Sequence, residues 1–565
     1  MKGLEITVLL GLSVLVGAVL APRLRVAAPL LLLACGLLLG FVPELRDIEL
    51  PPETVLLLFL PVMLFWESLT SSLRSIKRDI RGIVLLSTLL VVVTAGAVAV
   101  VAHLMGLPWE AALILGAAVA PPDATAVAAL GRMMPQRNFM LLKAESLTND
   151  GTALVVYSMA VGIAVGGHYS PWDVTGLVLL SYLGGIAAGA AVAGLAYLVM
   201  RRMRESLTIN IALLLVPFAA FLAAEAIGAS GVLAVVVAGL VVSFASPHIS
   251  TAASRRQTES VWPLGSYLLN GSLFVLVGLQ VQAVARDIAA VEIGGLVLVI
   301  IAVWLTLLLV RFIFQTASIM LGRLIDPRAP HRQRRMGYRA RIVSTAAGFR
   351  GAISLAIALS VPLVDEAGTP LAGRPEIVFV TAGVVVLTLL VQGPLLPVVV
   401  RWARLPADTA GEEELRLAQR EITSAALSAI DEIAAERRIS ASVRDRIRRD
   451  NDEHLELTNA LEEVEAARRE DDSAEEPHGS TTGPAPDTDS STGTDDPDAR
   501  NGDDRSAATA RHRQHTDLQL ALLERKREVL LGLLRDGSVD DLVARELQAR
   551  LDVEELRLTG ADPID

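Results

Sequence analysis

Glu145-Ser146-Leu147-Thr148-Asn149-Asp150-Gly151-Thr152 opens an apolar stretch that continues through Ala153-Leu154-Val155-Val156-Tyr157 to about Val165. Two acids, an amide and three hydroxyls at the mouth of a hydrophobic helix need a physical reason. Side chains four apart on a helix lie one above the other. Ser146 and Asp150 therefore share one face, and Glu145 and Asn149 share the next, with Thr152 close by. One acid can look into a cavity while the other is tied to a neighbouring helix. An ionisable group is expensive inside a membrane, so its presence there argues for function.

The surroundings of this stretch are those of a membrane protein. The chain has 565 residues and is 52% hydrophobic, with a mean hydropathy of +0.51. Its formal charge of -11 is segregated: residues 1 to about 402 are apolar runs joined by short basic or neutral loops, and the remainder is polar and charged. Thirteen apolar segments are long enough, or nearly so, to span, with cores near 6–21, 26–41, 53–66, 83–104, 111–130, 144–165, 174–200, 208–227, 231–244, 263–283, 294–320, 342–362 and 377–400. The first run resembles a signal peptide but lacks a basic leader and is followed by a dozen more, so it reads as a retained helix.

Alternate loops carry the positive charge: Arg23 and Arg25; Arg74, Lys77, Arg78 and Arg81; Arg132, Arg137 and Lys143; Arg201, Arg202 and Arg204; Arg255 and Arg256; and seven arginines between Gly322 and Arg341. The intervening loops hold almost none, and the one after the second segment is acidic, with Glu44, Asp47, Glu49 and Glu53. Positive loops stay in the cytoplasm, which predicts an outside N-terminus and a cytoplasmic C-terminal tail on a multi-pass plasma (inner) membrane protein.

The tail divides by composition. Residues 403–469 read as a charged helical segment with an apolar stripe of Leu415, Ile422, Leu427, Ile430 and Ile433. Residues 470–517 are expected to form a disordered acidic linker, since they are poor in large apolar side chains. Residues 518–565 hold two amphipathic helices either side of Asp536-Gly537-Ser538. A regulatory or dimer-contact role and a solubilising one fit this tail equally.

Further polar residues stand inside the apolar segments. In the fifth, Ala120-Pro121-Pro122-Asp123-Ala124-Thr125 places two prolines at mid-span. Proline removes an amide donor and leaves a carbonyl of the preceding turn unpaired, which hydrocarbon tolerates only where the backbone is packed by protein or lines a cavity. An acid directly after the break favours the cavity. Arg311 and Arg350 are flanked by apolar residues and call for anionic partners. The acids available are Glu67, Asp123, Glu145, Asp150 and, more loosely, Glu225. His103, at the end of the fourth segment, reads as interfacial and not as a ligand. The single Cys35 excludes a disulfide framework or cysteine-metal cluster, and no phosphate-binding loop, zinc motif or serine triad is present.

Three of these motifs together resemble the monovalent cation/proton antiporter-1 family, the sodium/proton exchangers and their bacterial relatives. Glu145-Ser146-Leu147-Thr148-Asn149-Asp150-Gly151-Thr152-Ala153 is similar to the family signature, Ala120-Pro121-Pro122-Asp123-Ala124-Thr125-Ala126-Val127 to its unwound fifth helix, and Gly348-Phe349-Arg350-Gly351-Ala352-Ile353-Ser354-Leu355 to its arginine-bearing twelfth helix. The resemblance covers roughly residues 1–405. It implies an all-α polytopic fold of about 13 transmembrane helices, with inverted repeats and a discontinuous-helix crossover, assembled as a homodimer.

The same resemblance assigns the site. Asp150 matches the carboxylate that binds cation and proton in turn, and Ser146 a hydroxyl ligand one turn away. Pro122 falls where many relatives have threonine, so only its backbone carbonyl can serve; Asp150, Ser146 and Pro122 are the expected cation ligands. Asp123 matches the acid of the crossover, Glu67 matches loosely an additional site acid, and Glu145 matches a glutamate paired with the arginine that is here Arg311. Asn149 and Arg350 have supporting roles. The partners implied are Na⁺ or another monovalent cation, H⁺ and the lipid bilayer, with no cofactor and no nucleic acid.

Exchange requires competition: one carboxylate holds a proton or a dehydrated cation, not both. With Asn at position 149 a single carboxylate carries the charge, and the resemblance implies one-for-one, electroneutral exchange of Na⁺, or of K⁺ or Li⁺, for H⁺. A channel would show a filter loop or charged rings, and an intramembrane aspartyl protease using Asp123 and Asp150 would show a protease motif; neither is present.

Overall fold

The computed structural model describes residues 2–24, 26–42, 52–71, 73–123, 136–166, 170–287, 290–325, 337–364, 368–404, 410–453, 456 and 503–560. Two compact units emerge, one reaching to Thr409 and the other spanning Ala410–Pro563. Among the described residues both are helical, with a single isolated bridge between Val364 and Pro370.

The first unit begins with α1 (Lys2–Leu24), α2 (Ala28–Leu39), α3 (Pro52–Leu69), α4 (Leu73–Leu104), α5 (Trp109–Val119) and α6 (Gln136–Ala164). α7 runs from Pro171 to Met200 through a π-helical turn at Leu180–Gly184. α8 (Ser206–Glu225), α9 (Gly231–Ile249), α10 (Ala252–Asp287), α11 (Ala290–Ile325), α12 (Tyr338–Ala346) and α13 (Ala352–Leu359) follow. α14 runs from Arg374 to Ala403 with a second π-helical turn at Thr388–Gln392.

Seven of these helices are long and apolar enough to cross a membrane, and α2, α3, α5 and α9 contain shorter apolar stretches. The segment Ile293–Met320 in α11 has a mean hydropathy of 2.9, yet only 22% of its most apolar window is buried by protein. An apolar surface that large, left uncovered by the fold, is a lipid-facing surface. The short helices lie inside: every residue of α5 from Ile114 to Val119 is buried.

Close packing depends on small residues, as it does where lipid removes the hydrophobic drive for helices to associate. α2 and α10 meet at Gly36 and Gly278, where an added Cβ would strike the backbone of Val275 or Leu33. Gly116 of α5 lies against the Ala95 carbonyl of α4 in the same way. The α4–α5 turn is closed by His103, whose Nδ1 is 2.9 Å from the Leu107 carbonyl oxygen and whose ring stacks on Trp109 at 4.1 Å. That placement suits a turn residue.

Several segment boundaries differ from expectation for a physical reason. α4 begins at Leu73 and α10 at Ala252, so helical backbone includes the basic residues expected in the preceding loops; hydropathy marks the apolar core of a helix, not its polar end. The segment expected over 342–362 is two helices, α12 and α13, separated by non-helical backbone at 348–351.

The second unit contains α15 (Ala410–Glu436), α16 (441–453), α17 (Asp503–Asp536) and α18 (Asp541–Thr559). Ala418 and Ile422 share a core with Leu523 and Leu530, while Ala426 and Ile430 share one with Leu518 and Leu522. Position rises in α15 as it falls in α17, so the two helices are antiparallel. The stripe from Leu415 to Ile433 is the face that makes these contacts. Arg527 of α17 reaches the buried Asp552 of α18 at 2.7 Å and also pairs with Glu555. α17 begins at Asp503, not near Leu518. The polar residues 503–517 are thus helical as the leading turns of an amphipathic helix, and the rest of the expected linker, 470–502, lies outside the described residues.

The glycine contacts make a paired test of the packing. Gly36→Ala should destabilise the purified protein by about 1–3 kcal/mol, because the new methyl meets backbone that cannot rotate away. Gly11→Ala in α1 opens onto free space and should be neutral or slightly stabilising. Thermal unfolding in detergent, followed by size-exclusion chromatography, compares the two.

Candidate functional site

The site forms where two helices break. α5 stops at Val119, and Ala120, Pro121 and Pro122 leave the helical path before Asp123. α12 stops at Ala346 and α13 starts at Ala352. The two breaks touch: the Asp123 amide donates to the Phe349 carbonyl at 2.9 Å. Gly351 lets the Asp123 carboxyl lie directly against the backbone, since any Cβ there would occupy the same space.

Broken helices strand carbonyls, and Arg350 satisfies them. Its Nε donates to the Val119 oxygen at 2.7 Å, Nη1 to Gly348 at 2.6 Å and Nη2 to Ala120 at 3.3 Å. The guanidinium is buried. An acid was the expected partner; the structure supplies three carbonyls. The C-terminal carbonyls of a helix carry partial negative charge, and Val119 and Ala120 are those of α5.

Arg311 does pair with an acid. Its Nη1 and Nη2 hold the two oxygens of Glu145 at 2.7 and 3.0 Å, and its Nε donates to the Ser344 carbonyl at 3.1 Å. This fork joins α11 to α6 and fixes α12 as well. Bidentate geometry is the strongest arrangement open to an arginine and a carboxylate.

The other face of α6 is turned to the break. Ser146 Oγ donates to the Pro122 carbonyl at 3.3 Å. Asp150, one turn on, is 1% exposed, and its Oδ2 has no hydrogen-bonding partner among the described residues. Both polar atoms of Asn149 are equally buried and equally unpartnered there. Glu67, on α3, is 7% exposed. Glu67, Asp123 and Asp150 lie within electrostatic range of one another, with Lys143 beside Glu67. The structure therefore brings Asp150, Ser146, Pro122, Asp123 and Glu67 into one cluster. Glu225, at the end of α8, is exposed and lies outside it. Ala124 and Thr125 of the break lie outside the described residues.

This cluster can hold a small hard cation. It offers a carboxylate, a hydroxyl and a backbone carbonyl, all oxygen donors, at a broken-helix crossover where such sites recur. Among the described residues it contains no nucleophile–base pair of the kind acyl transfer needs.

One set of neighbours had no signal in the sequence. Thr152, two residues past Asp150, is 2.6 Å from the Tyr182 hydroxyl and 3.3 Å from Thr88. Tyr182 sits in the π-helical turn of α7, a single-turn distortion often found beside functional sites. Periodicity over 174–200 reads as uninterrupted helix and hides it.

Comparison with known proteins adds to this geometry. A family described as sodium/hydrogen exchanger, transmembrane, matches residues 10–402. The chain is 38% identical to an uncharacterized Na(+)/H(+) exchanger of Mycobacterium tuberculosis, covering 100% of this chain and 97% of that one. It is 30% identical to a sodium, potassium, lithium and rubidium/H(+) antiporter of Bacillus subtilis, over 66% of this chain and 58% of that one. Its fold is similar to that of the sodium proton antiporter MjNhaP1 from Methanocaldococcus jannaschii, with a TM-score of 0.54 at 19% identity, covering 72% of this chain and 99% of that one.

Glu145→Gln and Arg311→Ala should each lower stability by about 2–3 kcal/mol. That is below the ~3–5 kcal/mol of a fully dry pair, because the Glu145 side chain is 21% exposed. Removing both should cost less than the sum of the two single changes. Melting shifts that simply add would show that the fork contributes nothing as a pair.

Proposed function

The chain belongs to the sodium/hydrogen exchanger family, and from that membership we propose that it exchanges one monovalent cation for one proton across the plasma membrane, with Asp150 holding each in turn. The observation that carries this most directly is the Asp150 carboxyl, buried at the crossover with one oxygen unclaimed by the described protein, a turn from a serine bonded to the Pro122 carbonyl. Cation and proton compete for those lone pairs. Provided that only a loaded carboxyl crosses between inward-open and outward-open forms, the two gradients are coupled.

Two features support single-charge stoichiometry. Glu145 is committed to Arg311. Asn149 cannot titrate. Each cycle then moves one cation against one proton with no net charge, which serves sodium and pH homeostasis.

Na⁺ is the first candidate cation, in line with the family. K⁺ is the second, because the Bacillus subtilis relative is named for sodium, potassium, lithium and rubidium, and an oxygen-only ligand set does not exclude the larger ion by charge. The working unit in this proposal is a homodimer, with the N-terminus outside and the tail in the cytoplasm.

Proteoliposomes with a proton-sensitive dye test the exchange with Na⁺, K⁺ and Li⁺ in turn. Asp150→Asn should abolish cation-dependent proton movement while the protein still inserts and elutes normally; substantial residual exchange would rule out Asp150 as the carrier.

An imposed membrane potential should leave unchanged the steady-state proton gradient set by a given cation gradient. A reproducible shift, with leak corrected using Asp150→Asn, would show that net charge moves.

A further inference from the structure

Asp150, Asp123 and Glu67 share the crossover, yet a one-for-one cycle uses the charge of a single acid. Glu67 has a specific neighbour that bears on this difference. Lys143 lies on α6, seven residues before Asp150. Seven residues are two helical turns less about 20°, so the two stand on one face, roughly 10 Å apart along the axis. Lys143 is half-buried, and its Nζ donates to Thr70 Oγ1 at 2.6 Å.

Thr70 follows the last residue of α3 and stands three residues from Glu67, which places the two on neighbouring positions of one face. The ammonium is therefore held at the turn that carries Glu67, and the two act on one another as charges. The anchor is itself fixed. Thr70 Oγ1 donates back to the Trp66 carbonyl at 2.9 Å, with the Glu67 carbonyl at 3.2 Å. Ser71 Oγ donates to the Glu67 carbonyl at 2.7 Å, and Ser243 of α9 donates to that of Leu69 at 2.9 Å. Position falls along α3 as it rises along α6: Thr70 meets Lys143, and Glu67 comes within electrostatic range of Asp150. A helix C-terminus attracts an ammonium by itself, but that capping role would leave Lys143 without influence on the cation.

We propose that Lys143 is a built-in counter-ion, tethered by Thr70, that balances the charge of Glu67 and so withholds Glu67 from the transported cation. The proposal rests on the exchange function above. Lys143 is a positioning residue, since it acts through Glu67 and not on the ion. An unbalanced carboxylate near Asp150 would deepen the negative potential there, and the cation would load readily but leave slowly. A fixed ammonium limits that potential, so that Asp150, with Ser146 and the Pro122 carbonyl, sets the affinity. The lysine arm is flexible and its ammonium is a point charge; the bond to Thr70 gives that charge a place.

A charge cycle tests this. Proton-coupled flux in proteoliposomes at one alkaline pH gives KM for Na⁺ or K⁺, whichever the wild-type protein moves. Lys143→Met leaves Glu67 unbalanced, and KM should fall about three- to tenfold, the scale of one unit charge roughly 10 Å away at an effective dielectric of about 20 or more. Glu67→Gln leaves the ammonium unbalanced, and KM should rise by a similar factor. The two changes together should return KM to within about twofold of wild type, and Lys143→Arg, which keeps the charge, should stay in the same range. A capping lysine would behave differently, because damage to one fold from both sides does not cancel. Were Glu67 a ligand, KM would stay raised in the double variant. Lys143→Gln repeats the loss of charge with a polar side chain. The rise in melting temperature with the concentration of the same cation ranks the affinities without transport, so absent wild-type flux would count against exchange alone. A KM that is unchanged or raised in both Lys143→Met and Lys143→Gln, or that is not restored in the double variant, would overturn the counter-ion.

Discussion

Stranded backbone carbonyls are the constraint around which the membrane unit is arranged. Two helices that stop in the low-dielectric interior leave oxygens that water cannot reach. Arg350 closes that deficit with three donors, and the Asp123 amide closes one more across the crossover. Without these bonds the Pro122 carbonyl, which accepts from Ser146 Oγ, would have no fixed place. A permanently charged guanidinium with planar donors suits the task; a lysine could not reach carbonyls of both breaks with one ammonium.

Charge is then partitioned across the two faces of α6. Glu145 and Arg311 neutralise one another on the face turned to α11 and α12. This leaves the acids of the opposite face, Asp150 with Asp123 and Glu67 near it, to share a small volume. Positions five apart on one helix thus separate a charge committed to an ion pair from a carboxyl buried at the crossover, through a helical offset of about 140°.

Much of this was legible from the residues alone. The apolar segments, the charged tail stripe and the proline break follow from periodicity and proline chemistry, and the rule that buried arginine needs a partner calls for an acid at Arg311; that the acid is Glu145 came from the family resemblance. The rule failed for Arg350 because a helix terminus supplies negative character without any acidic residue to mark it. The second break was masked by the high apolarity of 342–362, although the glycines at 348 and 351 bracket it. Contacts such as Thr152–Tyr182 and Tyr157–Ser360 join residues far apart in the chain through common hydroxyls. No local pattern distinguishes those hydroxyls from the many that bond their own helix.

The antiparallel pairing of α15 with α17 has a consequence for how the tail tolerates change. The residues that enclose 457–502 already meet through a shared apolar core and the contact of the Ser440 amide with Gln514. A cut in the backbone between α16 and α17 would therefore leave two pieces held together by that packing.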